Sequence, residues 1–223
     1  MSAGPGDWWA ETAAASPDGR VLYLGVGEGA HAGLLAPHAG ELIAVDEDRR
    51  RIARFKGRAR AEGWSNVRFI TSPPHAVELR EEFGLIIVPA SLINGVEDPA
   101  VRGGIVKRAA AHCREDGKVL LRLLNPHWLA SGMPVSENET DVRLEHLDGD
   151  AWEQRHRARL IRTADDGDEQ AEIVEVTALY PRELRALAYQ SGLDVVATWG
   201  DEPGESMLGV GGAAWHLLCE PAT

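Results

Sequence analysis

Residues Val21 to Asp46 read VLYLGVGEGAHAGLLAPHAGELIAVD, which divides into strand, glycine-rich turn, helix, second strand and a terminal acid. Val21 to Leu24 is a short apolar run. Gly25, Gly27 and Gly29 follow at alternate positions, where side chains would block a close approach of backbone to a ligand. A helix opening after such a turn presents free N–H groups and a positive dipole end to an anionic group. Asp46 lies 21 residues beyond Gly25, about the spacing at which an acid on the next strand accepts hydrogen bonds from a ribose. The stretch predicts a nucleoside-bearing cofactor.

Outward from this stretch, strands and helices alternate. The segment EDRRRIARFKGRARAEG places Ile52, Phe55 and Ala59 at helical spacing with arginines around them, a solvated helix rather than a phosphate reader. Asn66 to Ile70 reads as a third strand. The loop Thr71-Ser72-Pro73-Pro74-His75 follows, kept out of helix by its prolines. LIIVPA, continuously apolar, reads as a fourth strand buried on both faces. A helix over Val101 to Cys113, a turn at Asp116-Gly117 and a fifth strand over Lys118 to Leu124 complete the run, which ends at Asn125-Pro126-His127. Such alternation implies βαβ units and a parallel sheet, with ligands bound at the carboxyl ends of the strands.

From Val142 to Tyr180 the pattern changes. VRLEHL, AWEQRHRARLI and AEIVEVTALY alternate apolar and polar residues as half-exposed antiparallel strands do. Residues 129–180 are therefore expected to be a small antiparallel β insertion, acting as a lid or a dimer element, within a single domain over 1–223. Pro181 opens the helix PRELRALAYQSG, and LDVVATWG and AAWHLLCE close the chain as an antiparallel pair. The fold class is α/β: a doubly wound, mostly parallel seven-stranded sheet.

Composition narrows the function. The 223 residues carry a net charge of −12, with a pI near 5.1. A nucleic-acid partner, which needs a basic footprint, is not expected. Cys113 and Cys219 form no CxxC pair, the N-terminal residues lack signal-peptide character, and no apolar run reaches the roughly 18 residues that span a bilayer. A cytoplasmic protein without a membrane partner is expected. No HxxxH, HExxH or GxSxG pattern is present, so neither a metal nor a serine nucleophile is expected.

The chain resembles the class I S-adenosylmethionine-dependent methyltransferases from about Val21 to Glu220. VLYLGVGEG is similar to the family's first motif, AVDED to its second-strand acidic motif, and LIIVPA with Ser91-Leu92-Ile93-Asn94 to its fourth. ALYPRELRALAYQSGLDVV resembles the helix and strand that follow the fifth strand in the family. Gly25, Gly27 and Ala30 also satisfy the glycine pattern of nicotinamide enzymes, but the antiparallel closing pair and the ordered motifs favour the methyltransferases.

The resemblance implies S-adenosyl-L-methionine as cofactor. It places Gly25, Val26, Gly27 and Gly29 along its methionine and ribose, Asp46 on the ribose hydroxyls, Glu47, Ser72 and Pro73 beside the adenine, and Pro89 and Ala90 on the methionine side. Three positions depart from the family pattern. Tyr23 stands where an acid commonly helps hold the ammonium group, with Glu28 as substitute acceptor. Pro73 and Gly84 replace two further acids, and Ser72 is the substitute beside the adenine.

The expected activity is N- or O-methylation of a small metabolite, a natural-product or sugar-like acceptor. Methyl transfer from a sulfonium needs an aligned nucleophile and a proton acceptor. The candidates are His127 as base, with Asn94 and Tyr180 as orienting groups, while Trp9, Trp128 and Trp152 are expected to wall the acceptor. A homodimer built on the insertion is the expected assembly. The alternatives are a methyltransferase fold that binds the cofactor without transfer, such as a cyclase, and a nicotinamide oxidoreductase. The latter would need a second mononucleotide-binding half.

Overall fold

The computed structural model describes residues 11–27, 29–127, 135–136, 142–163, 168–200 and 214–222. Its main sheet has seven strands: β1 (Arg20–Leu24), β2 (Glu41–Asp46), β3 (Val67–Thr71), β4 (Phe83–Val88), β5 (Cys113–Leu124), β10 (Leu193–Trp199) and β11 (Ala214–Pro221). Their order is β10-β11-β5-β4-β1-β2-β3. All neighbours are parallel except β11, which is antiparallel to both β5 and β10. Strand order reverses between β1 and β4, and the doubly wound sheet expected from the sequence is the one observed.

The interior strands are apolar because both of their faces are covered. All six residues of β4 are buried, and so are four of the five in β1. Five helices lie wholly among the described residues: α1 (Ala30–Leu35), α2 (Arg49–Ala61), α3 (Ala90–Ile93), α4 (Pro99–His112) and α5 (Pro181–Gln190). In α2, Asp48 caps the first turn by accepting from Arg50 N at 2.7 Å, and Ile52, Phe55 and Ala59 form the buried stripe. Helix α4 begins at Pro99, earlier than its apolar pattern suggests, because Asp98 caps it through Ala100 N at 2.8 Å. The fifth strand likewise begins at Cys113 rather than Lys118, so Asp116-Gly117 lies within β5.

Between β3 and β4 the chain crosses without a regular helix, and His112 at the end of α4 holds this crossing in place. Leu79 N donates to His112 Nε2 at 2.9 Å, so the ring proton sits on Nδ1, which donates to Arg108 O at 2.8 Å. Replacing His112 with Ala strands the Leu79 N–H and is expected to cost about 1–3 kcal/mol, read as a lower urea midpoint.

The insertion is a second sheet of four antiparallel strands, ordered β6 (Val135–Ser136), β7 (Val142–Asp150), β8 (Arg155–Thr163) and β9 (Glu169–Thr177). The short β6 has no signature in the sequence pattern. The segment AWEQ, expected as strand, is a turn: Asp150 Oδ1 accepts from Trp152 N at 2.8 Å and from Glu153 N at 3.1 Å, and Gln154 has φ 55°.

Register gives this sheet two unlike faces. Leu144, Leu160 and Glu172 form one cross-strand row, and His146, Ala158 and Val174 the next. This face covers the carboxyl ends of β4 and β5, where Ala158 and Val176 pack with Ala90 and Leu124. The other face carries Arg143, Glu145 and Arg159, joined by ion pairs of 3.2 and 3.4 Å. Among the described residues, no helix is long and apolar enough to cross a membrane.

Candidate functional site

A cavity of about 430 Å³ opens where strand order reverses. Its floor comes from Tyr23 within β1 and from the loops after the parallel strands: Gly27 and Gly29 after β1, Glu47 after β2, and Pro89 and Ala90 after β4. Its roof is the apolar face of the insertion, through Leu144, Leu160, Val174 and Val176.

The three glycines take positive φ, at +78° for Gly25, +54° for Gly27 and +77° for Gly29. Their neighbours refine the sequence reading. A Cβ on Gly25 would sit 2.9 Å from Leu92 of α3, and one on Gly29 would sit 2.6 Å from Phe55 of α2. These two are glycines because other parts of the protein press against the turn, whereas Gly27 faces the cavity edge beside Ser91. Helix α1 has only six residues and its Gly29 cap makes no side-chain hydrogen bond, so the turn itself shapes this end of the cavity.

Asp46 is buried at the end of β2. Its Oδ2 accepts from Gly27 N at 3.1 Å and its Oδ1 from Asp48 N at 2.9 Å. The carboxylate thus joins the loops after β1 and β2, and each oxygen keeps a second acceptor position for a hydroxyl. Ser72 N donates to Asp46 O at 3.1 Å, which brings the β3 loop beside this acid, although neither Ser72 nor Pro73 lines the cavity. Glu47 and Arg51 do line it, at the edge assigned to adenine by resemblance. The acid held between two backbone amides, the glycine edge and the open wall at Pro89 and Ala90 together fit a nucleoside with an amino-acid tail.

The departures from the family pattern have different consequences. Tyr23 is buried in β1 and lines the cavity, so its phenol replaces a carboxylate within the site. Gly84 lies at the opposite, amino end of β4. There its N donates to Asp18 Oδ1 at 3.1 Å, and a Cβ would meet Ser16 and Asp18 within 2.7 Å. A side chain is excluded at Gly84 for packing reasons, and the position lies outside the cavity lining.

The proposed catalytic group is not assembled as expected. Asn94 lines the cavity, but Oδ1 accepts from Leu124 N at 2.9 Å and Nδ2 donates to Thr177 O at 2.8 Å. It is a fastener between α3, β5 and β9. His127 is exposed and packs edge-on against Tyr180 and Trp215, with centroids 6.1 and 5.8 Å away, outside the cavity lining. Tyr180 stands at the start of α5, where its N donates to Glu183 Oε2 at 2.8 Å. Trp152, expected in the substrate wall, is 91% exposed at the β7–β8 turn. Trp9, Glu28 and Trp128 lie outside the described residues.

Sequence reasoning missed His31 of α1, Arg122 of β5 and His216 of β11. Arg122 NH1 donates to His31 Nε2 at 2.8 Å, and both residues line the cavity. His216 pairs in register with Arg122, stacks on Trp199 and donates from Nδ1 to Gly200 O at 2.6 Å. For Arg122 the signal was a single cation inside the apolar run VLLRLL. Burial, reinforced by the Arg122 charge, lowers the His216 pKa to about 3.

The unfolded chain, with a His pKa near 6.5, therefore binds the proton that the folded chain refuses. Stability is full above pH of about 6.5 and falls as pH drops toward 3, by up to ~1.4 kcal/mol per pH unit. His216→Phe is expected to flatten this part of the acid slope in urea melts. Burial pushes the thiols of Cys113 and Cys219 up to about 12, which removes both as nucleophiles.

Residues 21–117 match a family model described as a methyltransferase domain. A comparison with curated protein sequences found no match. Among solved structures, the CcbJ methyltransferase from Streptomyces caelestis is similar over 98% of this chain and 90% of its own, with TM-score 0.80 and 18% identity. The glycopeptide N-methyltransferase MtfA, solved with S-adenosyl-L-methionine, is similar over 98% and 87%, with TM-score 0.69 and 18% identity. CalS10 from Micromonospora echinaspora, an amino pentose methyltransferase solved with the same cofactor, is similar over 97% and 92%, with TM-score 0.67 and 17% identity. At such identities the likeness is one of fold, and it extends through the inserted sheet. Residues 21–117 thus match a methyltransferase domain, and the chain shares its fold along nearly its whole length with solved methyltransferases.

Proposed function

We propose that the protein methylates a nitrogen or oxygen of a small metabolite, of natural-product or sugar-like size, held beneath the inserted sheet. The observation that carries this reading is the shared cavity: the family's cofactor-side positions and the apolar face of the insertion line one space. The glycopeptide and amino pentose methyltransferases among its structural relatives support an acceptor of that kind.

Bound S-adenosylmethionine supplies an electrophilic methyl group on a sulfonium, and in-line placement of the nucleophile provides most of the rate. Asp46 holds the ribose, and the edges at Gly27, Pro89 and Ala90 confine the amino-acid tail. Leu144, Leu160, Val174 and Val176 keep water from the acceptor side. An ammonium or hydroxyl nucleophile must lose a proton, and the carboxylates Glu172 and Glu175 on β9, in the roof of the cavity, are able to take it. His127 and Tyr180 stand outside the lining and are given no part in this step. The outward face of the insertion carries ion-paired Arg and Glu side chains, while its other face lines the cavity, which supports the roof role.

The test is transfer of an isotopically labelled methyl group to a panel of amino sugars, amines and hydroxylated aromatics, with product detected by mass. A labelled acceptor formed with S-adenosylhomocysteine is the expected result. Cofactor binding without label on any acceptor would favour a fold retained for binding alone, the reading that Tyr23 in place of an acid keeps open.

A further inference from the structure

We propose that the free edge of β9 pairs with the same edge of a second copy of this chain, joining two inserted sheets into one across a two-fold axis. Strand β9 (Glu169–Thr177) is nine residues long, holds no proline or glycine, and pairs only with β8, in a register without a bulge. Such an edge is a ready template for another strand.

The direction of its backbone groups follows from its last residue. Thr177 N donates to Asn94 O at 2.7 Å and Thr177 O accepts from Asn94 Nδ2 at 2.8 Å, so both point away from β8. The next residue faces the other way, with Ala178 N donating to Gln154 O at 2.7 Å. In an antiparallel ladder these directions alternate, which turns the N–H and C=O of Glu175, Ile173 and Ala171 outward. Among the described residues nothing bonds these outward groups. Ile173 lies at their centre and is 63% exposed.

An antiparallel self-pairing centred on Ile173 sets Ile173 against Ile173 of the second copy and Ala171 against Glu175, and each of the free outward groups finds a partner. The acids fit the same register. Glu172 meets Val174, Glu175 meets Ala171 and Glu169 meets Thr177, so no carboxylate stands directly opposite another. An axis at Glu172 or Glu175 would set like charges face to face. One at Val174 would place Ala171 against Thr177, which Asn94 already occupies, and one at Ala171 would carry Glu175 past the end of the partner strand. The inward face continues through the joint: Val174 of the second copy stands opposite Glu172, which lines the cavity, and so extends the apolar roof. Association needs no cofactor, so its test is independent of the proposed function.

The experiment measures the mass of the full chain and of three variants by sedimentation equilibrium, from micromolar to submillimolar concentration and without ligand. Wild type is expected to reach twice the 24.2 kDa of the chain. Ile173→Pro removes the central outward N–H and spares the bonds to β8, so a monomer is expected, with the wild-type melting temperature when both are dilute. Ala171→Glu sets a carboxylate against Glu175 twice in the dimer and weakens association about 5–30-fold, whereas Ala171→Lys tightens it about 2–30-fold. Shifts of the same sign for Glu and Lys, a dimer indifferent to all three changes, or a wild type that stays monomeric throughout would overturn the proposal. Should Ile173→Pro fail to fold, the opposite signs at Ala171 decide the matter alone.

Discussion

Asp46→Ala is expected to weaken S-adenosylmethionine binding by roughly 100-fold, the largest effect of any single change outside the core. A carboxylate that accepts from two ribose hydroxyls contributes charge-assisted hydrogen bonds, and about 3 kcal/mol is a moderate value for the pair. The same carboxylate accepts from Gly27 N and Asp48 N, so its removal also loosens the turn that shapes the cavity floor. Asp46→Asn separates the two contributions. It keeps acceptor capacity for one backbone amide and loses the charge, so a smaller fall in melting temperature than for Ala is expected, with most of the affinity loss retained. Calorimetric titration and thermal melts on the same preparations measure both quantities.

Asn94→Leu is the second large effect, and it acts on stability and on the roof together. The substitution leaves buried Leu124 N without its acceptor and Thr177 O without its donor. Two such losses are worth about 2–5 kcal/mol, a fall of roughly 5–15 °C in melting temperature for a chain of this size. Thr177 N also donates to Asn94 O at 2.7 Å, so this residue joins the end of β9 to the loop carrying Pro89 and Ala90. Hydrogen exchange over residues 169–177 should rise well beyond the global loss of stability. Asn94→Asp discriminates further: it preserves the acceptor for Leu124 N but turns an oxygen toward Thr177 O, so it should release the roof with a smaller loss of overall stability. An exchange increase spread evenly over the whole chain would show that Asn94 is ordinary core.

Both predictions rest on residues readable in the sequence to different degrees. Asp46 was legible because a strand ending in an acid after a glycine turn is a local pattern, and LIIV was legible as an interior strand because burial on both faces leaves no polar position. The insertion was legible from alternation alone, since one face meets the cavity and the other meets water. Asn94 was singled out for its place after the fourth strand, yet its role depends on Leu124 and Thr177, which are 30 and 83 residues away. No local pattern carries that information.

The same limit explains the catalytic assignments. His127 follows the fifth strand, where site residues gather, but its ring turns toward Tyr180 and Trp215. Position along the chain does not fix direction. Trp152 was placed in the acceptor wall on residue type, whereas the Asp150 turn sends it outward. Gly25 and Gly29 were assigned to the ligand from their spacing, and the further reason that each must be glycine, the approach of Leu92 and Phe55 from other elements, is not local. Arg122 carried the opposite lesson: a cation within an apolar strand was visible from the start, and only the register with His216 and the contact with His31 gave it meaning.

Calorimetric titration of the wild-type chain with S-adenosylmethionine tests the central claim most directly, alongside the Asp46→Ala variant. One site in the micromolar range is expected for wild type, weakened about 100-fold in the variant. No binding by wild type at millimolar cofactor, or equal binding by both chains, would contradict it.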